Sequence, residues 1–263
     1  MTYNGFSVEI AAIVNGVKKA DFVSYERLRS LSEGGDPMAM LALAILHDEP
    51  KSPNVDLNFP LARHWYEKAA ERGIDHAQLA LGNMYDYGQG GEQNDEQALR
   101  YYLMSAEQGN PEAQMSAARM YQTGRGTEAA LDKAVFWYKE AIDRGHELAA
   151  TNLGLIIMDT AGEDNEEAYK TAFSLFSFAA DKLDGLAHYL LGEMHRKGQG
   201  VEQHVALALL HYFISEALLP AGENHDRATI IKEHILNQTG AVREKFEQEM
   251  MEYLRIKGAN IPH

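Results

Sequence analysis

Apolar positions along this chain recur in a long, repeating pattern rather than as one continuous run. From Ala77 the segment Ala77-Gln78-Leu79-Ala80-Leu81-Gly82-Asn83-Met84-Tyr85 leads to a glycine break, Gly88-Gln89-Gly90. Ala98-Leu99-Arg100-Tyr101-Tyr102 follows, and Ala106-Glu107-Gln108-Gly109 closes the unit. The string returns at about 36 to 38 residues on either side, a period that predicts two helices per unit and a stack of such units.

Several columns hold this register. Ala39, Ala77, Ala113, Ala149 and Ala187 open successive units, and Ala44, Gly82, Ala118, Gly154 and Gly192 stand five residues later. Ala62, Ala98, Ala134, Ala172 and Ala208 precede the pairs Trp65-Tyr66, Tyr101-Tyr102, Trp137-Tyr138, Leu175-Phe176 and His211-Tyr212. Small residues on one helix face admit a neighbouring helix, and the large rings fill the space so opened. Gly35, Gly73, Gly109 and Gly145 suit the left-handed position that ends a helix. Asp36-Pro37 and Asn110-Pro111 suit a capped start with proline in the first turn. Gly88-Gln89-Gly90, Gly124-Arg125-Gly126 and Gly198-Gln199-Gly200 mark the turn inside a unit.

At the N-terminal end, Phe22, Tyr25, Leu28 and Leu31 predict one helix, read as half a repeat shielding the first full one; the residues before it yield no assignment. At the other end, Asn224 is placed as the cap of a helix carrying Ile230, Ile231, Ile235 and Leu236. A last helix bears Val242, Phe246, Met250 and Leu254 as a stripe that covers the final repeat. A partner-binding or dimerising helix is the alternative reading of that stripe. The expected division is a capping segment over 1–35, five repeats over 36–219 and a helical cap over 220–263.

The combination of Leu81-Gly82-Asn83-Met84-Tyr85, the glycine loop, the aromatic pair and the Ala106-Glu107-Gln108-Gly109 ending resembles the Sel1-like repeat family, relatives of tetratricopeptide repeats. The resemblance implies an all-α fold, a right-handed α-solenoid of helix-turn-helix units. Three units depart from the pattern. The first carries Asp48-Glu49-Pro50-Lys51-Ser52-Pro53 in place of the glycine loop. The fourth has Asp159-Thr160-Ala161-Gly162 there and Leu183 in the closing-glycine column, and the fifth has His195 at the Tyr85 position.

By the same resemblance the first helix of each unit lines a concave groove. The implied partner-binding residues are Leu79, Asn83, Asp86 and Tyr87, then Met115, Arg119, Gln122 and Thr123. The fourth unit contributes Thr151, Leu155, Met158 and Asp159, and the fifth Tyr189, Glu193, Arg196 and Lys197. Tyr87, Met115, Arg119, Tyr189 and Arg196 are the expected hot spots, because aromatic and arginine side chains give the most contact per ordered residue.

Charge narrows the partner. The formal net charge of -15 argues against a nucleic-acid binder and suits a basic protein or peptide. No run approaches the length of a membrane span, so membrane insertion is not expected. Without a visible signal peptide the expected location is the cytoplasm, and the expected state a monomer or weak homodimer. The absence of cysteine removes thiolate metal sites and cysteine nucleophiles.

No Walker loop, His-Glu-x-x-His or Gly-x-Ser-x-Gly motif is present, so no catalytic residue, metal or cofactor is assigned. His188, His195, His204 and His211 could join a carboxylate such as Glu202 around zinc or nickel, as in a metal-dependent hydrolase. The simpler reading makes His195 and His211 polar-tipped substitutes in aromatic columns. Asn237-Gln238-Thr239 is a sequon of no expected consequence. The leading expectation is a non-enzymatic adaptor or scaffold. The alternative is an inhibitor of immunity type that neutralises a toxin.

Overall fold

In the computed structural model of the chain, residues 6–19, 21–49, 55–162, 165–239 and 243–259 are described. Expectations that fall on residues 1–5, on the loop residues 50–53, and on Gly240 and Val242 lie outside them. The described residues form fourteen α-helices and no strand. They divide into two compact units, residues 1–141 and 142–263.

The first unit contains α1 (Val8–Lys18), α2 (Phe22–Glu33), α3 (Pro37–Asp48), α4 (Phe59–Glu71), α5 (Asp75–Tyr87), α6 (Asp95–Glu107), α7 (Pro111–Thr123) and α8 (Leu131–Asp143) as far as Ala141. A whole helical pair, not half of one, precedes the first repeat. Ser7 caps α1, and Ile10, Ile13, Val14 and Val17 are buried in one cluster with Leu28 of α2 and Leu43 of α3. Phe22, expected on the inner face, is 70% exposed.

Each repeat is built on one knob and one notch. Tyr66, Tyr102 and Tyr138, the second members of the aromatic pairs, are buried, and Ala44, Gly82 and Ala118 are fully covered opposite them. A Cβ on Gly82 would stand 2.6 Å from the Tyr102 ring. Burying one such ring contributes on the order of 2–3 kcal/mol.

Gly35, Gly73 and Gly109 adopt positive φ after their helices. Asp36 and Asn110 then cap α3 and α7, each accepting two backbone N–H bonds. In the Gly-x-Gly loops the two glycines do different work. Gly88 and Gly124 are left-handed helix caps, whereas Gly90 and Gly126 press on the backbone that starts the second helix of the preceding repeat. A Cβ on Gly90 would lie 2.5 Å from the Phe59 carbonyl oxygen, and one on Gly126 would lie 2.6 Å from the Asp95 carbonyl carbon.

The second unit contains α9 (Glu147–Ala161), α10 (Glu166–Ala180), α11 (Gly185–Lys197), α12 (Val205–Leu218), α13 (Glu223–Thr239) and α14 (Arg243–Ile256). Phe176 and Tyr212 are its knobs, fitting Gly154 and Gly192. Leu183 keeps the backbone of its glycine column, with φ 66°, so the fourth repeat closes as the others do at the cost of a non-glycine residue in the left-handed region.

Helix α13 begins at Glu223, which places Asn224 in its first turn and not at its cap. Ile235 and Leu236 are buried, but Ile230 faces solvent. Helix α14 packs on α12, where Phe246 stacks on Phe213 at 6.0 Å between centroids.

Candidate binding face and histidine cluster

The first helix of each repeat presents residues one and four positions beyond its small notch residue. In four repeats at least one of them receives the buried tyrosine hydroxyl. Tyr66 donates to Asp48 at 3.2 Å, and Tyr102 to Asn83 at 2.7 Å and Asp86 at 3.2 Å. Tyr138 donates to Gln122 at 2.7 Å and Tyr212 to Glu193 at 2.5 Å. The fourth repeat has Phe176, which carries no hydroxyl, and there the same two positions are Leu155 and Met158, packed on the apolar cluster that holds Phe176. Variation in these columns therefore follows the chemistry of the knob, because a buried hydroxyl needs an acceptor.

This corrects part of the expected groove. Asp86 is 3% exposed. It binds Arg119 at 3.2 Å and Arg125 at 2.6 Å, and Arg125 also reaches Asp95 at 2.5 Å. Hydrogen bonds to Asp95 and Asp86 hold the Arg125 guanidinium more firmly protonated than usual. Arg125 thus ties its loop to both α5 and α6. Arg119 keeps an exposed edge but is already paired.

Thr151 is buried and donates to Asp184, the cap of α11, at 2.5 Å. Neither Asp86 nor Thr151 faces outward as a partner-binding residue would. In the fifth repeat burial raises the Glu193 carboxyl, but hydrogen bonds from Arg196, Tyr212 and Lys197 outweigh it and hold the group at about 2. Arg196 grips Glu193 through two bonds of 3.0 and 2.8 Å, so this expected hot spot is spent within its own helix.

What remains outward in the first unit is a stripe at four-residue spacing. Leu79, Asn83 and Tyr87 lie along α5, and Met115, Arg119 and Thr123 along α7. Tyr87 is 65% exposed. In the second unit Tyr189 is half-buried against Tyr212, with centroids 6.1 Å apart, and Asp159 and Lys197 are exposed.

Three of the four histidines meet. His188 Nδ1 lies 2.9 Å from His211 Nδ1, and the His195 and His211 rings stack at 5.6 Å and 13°. That stack repeats Tyr85 on Tyr101, at 5.7 Å and 10°, in the same two columns. Burial, then the neighbouring imidazoles, push His211 down to about 3, and burial takes His188 to about 4. His204 stands apart as the cap of α12, accepting from Leu207 N–H. Among the described residues no group of three His, Cys, Asp or Glu is placed to hold a metal ion.

Two residues were not foreseen from the pattern: Arg125, and Tyr253 of α14, whose hydroxyl reaches the Ala180 carbonyl and His188. The first looked like the middle of a turn, and the second falls outside the apolar stripe of α14.

Comparison with known proteins bears on the whole array. The Sel1 repeat family model matches residues 37–74, 75–110, 111–146 and 185–213, more than half of the chain. The fourth pair, α9 and α10, with Leu183 and no glycine loop, lies outside those matches. Comparison with curated proteins finds no match. Among solved structures, a Sel1 repeat protein from Oxalobacter formigenes has 25% identity and a TM-score of 0.76, covering 94% of this chain and 99% of that one. A protective antigen present in uropathogenic Escherichia coli strains, displaying an SLR fold, has 22% identity and a TM-score of 0.77 over 95% of this chain. The chain spans 52% of that antigen's length. With four matched repeats over more than half of the chain, and with knob and notch recurring in each of the five repeats, the chain belongs to the Sel1 repeat family.

Proposed function

We propose that this chain is a non-enzymatic interaction module that holds a segment of another protein against α5 and α7. Repeats of this family commonly mediate protein–protein interaction. The observation that carries the reading is Tyr87. It is a large ring left 65% exposed at the end of α5, in line with Leu79 and Asn83 and beside the Met115 and Arg119 stripe of α7. Exposed aromatic anchors beside apolar and arginine neighbours are the usual centres of binding energy. The net charge of -15 favours a basic segment, drawn in by long-range attraction.

The test is to purify the tagged chain from its own cells, identify the protein it retains, and measure the pair by calorimetry. Tyr87→Ala with Met115→Ala should weaken the identified pair by more than about tenfold, roughly 1.4 kcal/mol, with unchanged helical circular dichroism. Added salt should slow association. Undiminished affinity in the double variant would reject this face. If the retained protein is a toxin, the module acts as its inhibitor, and co-expression should rescue growth.

A further inference from the structure

The histidine cluster lies under the C-terminal helix. Tyr253 of α14 donates its hydroxyl hydrogen to the Ala180 carbonyl at 3.1 Å, and its oxygen lies 3.3 Å from His188 Nε2. One assignment gives every contact a single proton. His211 Nδ1–H donates to His188 Nδ1, His188 Nε2–H donates to the Tyr253 oxygen, and Tyr253 donates to Ala180.

The Ala180 carbonyl belongs to a repeated column. Gln78 donates to the Ala70 carbonyl at 3.3 Å, and Gln114 donates to the Ala106 carbonyl at 3.1 Å. His188 stands where those glutamines stand, so the fifth repeat has put a titratable group in a place that carries a neutral amide in the second and third repeats and Met40 or Ala150 in the first and fourth.

We propose that α14 is latched to the fifth repeat by this histidine relay and that acid opens the latch, releasing α14 while the repeats stay folded. A second proton on His188 would sit on Nδ1, facing the N–H of His211. Either two donors then face each other at 2.9 Å or His211 must move its own proton to Nε2, and moving α14 to let water reach His188 relieves both.

The surroundings offer little compensation. From α10 come Phe173, edge-on to His195, and the Ala180 carbonyl and Asp181 carboxylate, which favour charge on His188 but do not outweigh its burial; Asp181 is paired with Lys257 of α14 at 2.8 Å. From α11 and α12 come His195, His211 and the more distant His204, and the loop contributes only the Glu202 backbone to His195. From α14 come Tyr253 and Lys257, the latter disfavouring charge on His188.

Docked, His188 titrates at about 4, below its ordinary 6.5, so the released state takes up the proton first. Docking is full above 6.5 and weakens as pH falls toward 4, by about tenfold per pH unit.

The test is hydrogen exchange on the full chain, read helix by helix between pH 7 and pH 4.5 and corrected for intrinsic exchange rates. Protection over α14 should fall by roughly tenfold per pH unit below about 6, while α5 and α7 hold theirs. His188→Gln, which places there the amide of the second and third repeats, should flatten that dependence. Should that variant not fold, Tyr253→Phe serves instead and should lower α14 protection already at pH 7. Constant α14 protection in the native chain would overturn the proposal, as would loss of all helices together. The same pH dependence in His188→Gln, or unchanged α14 protection in Tyr253→Phe, would do so too.

Discussion

Replacing Gly126 by alanine should cost far more than replacing Gly73, although both have positive φ, of 70° and 82°. At Gly73 nothing lies within 4 Å of an added Cβ. The change there pays only the left-handed penalty of about 1–2 kcal/mol, reduced by about 0.4–1 kcal/mol because alanine also restricts the unfolded chain. A net loss of roughly 0.5–1 kcal/mol follows from those two terms. At Gly126 the same terms apply, but the added carbon lies 2.6 Å from the Asp95 carbonyl carbon and 3.0 Å from Glu96 N. Backbone at the start of a helix cannot rotate aside as a side chain can. Overpacking of this kind adds about 1–3 kcal/mol, for a total near 2–4 kcal/mol. The loop has no easy retreat, since Arg125 binds Asp86 and Asp95 beside it. Urea titrations of both variants, followed by circular dichroism with the slope held common, measure the difference. Equal losses at the two positions would refute the claim that the glycine loop bears on the preceding repeat in solution.

Two further outcomes follow from the buried hydroxyls and carboxylates. Phe176→Tyr should destabilise by about 1–3 kcal/mol in the same titration, because the new hydroxyl meets Leu155 and Met158 where the other repeats offer an acceptor. Glu193 is held at about 2, below its ordinary 4.5, so its contribution is complete above 4.5 and is lost as pH falls through 2. Thermal melts of Glu193→Gln should show a shallower decline between pH 4.5 and 2 than the native chain, and parallel curves would contradict this.

The columns of Ala, Gly and aromatic residues made the helical pairs legible, because packing of like against like imposes the same residue at each return. Helix α1 was hidden by its brevity. Ile10, Ile13, Val14 and Val17 do carry helical spacing, but between Glu9 and Asn15 the run reads as too short to bury anything until α2 and α3 are beside it. Which residues of the first helices point outward was legible in part. The resemblance implied Asp86 beside Tyr87 on the outer side of α5, yet a loop residue of the next repeat, Arg125, reaches over and draws Asp86 in. Likewise Asn83, Leu155 and Glu193 were implied only as groove residues, since sequence alone does not reveal that each answers the ring opposite it.

That pairing bears on how such an array can grow or be re-engineered. A knob hydroxyl and its acceptor reside on the two helices of one pair, Tyr102 with Asn83, Tyr212 with Glu193, and Phe176 with its apolar neighbours. The unit that can be duplicated, deleted or grafted without orphaning a knob hydroxyl is therefore the whole pair, although contacts such as Arg125 with Asp86 cross to the preceding repeat. A crossover that falls in the glycine loop, joining the first helix of the fourth repeat to the second helix of another, would bury an orphaned hydroxyl. A crossover at the closing turn would carry each matched set intact, and chimeras cut there should tolerate exchange of repeats more readily.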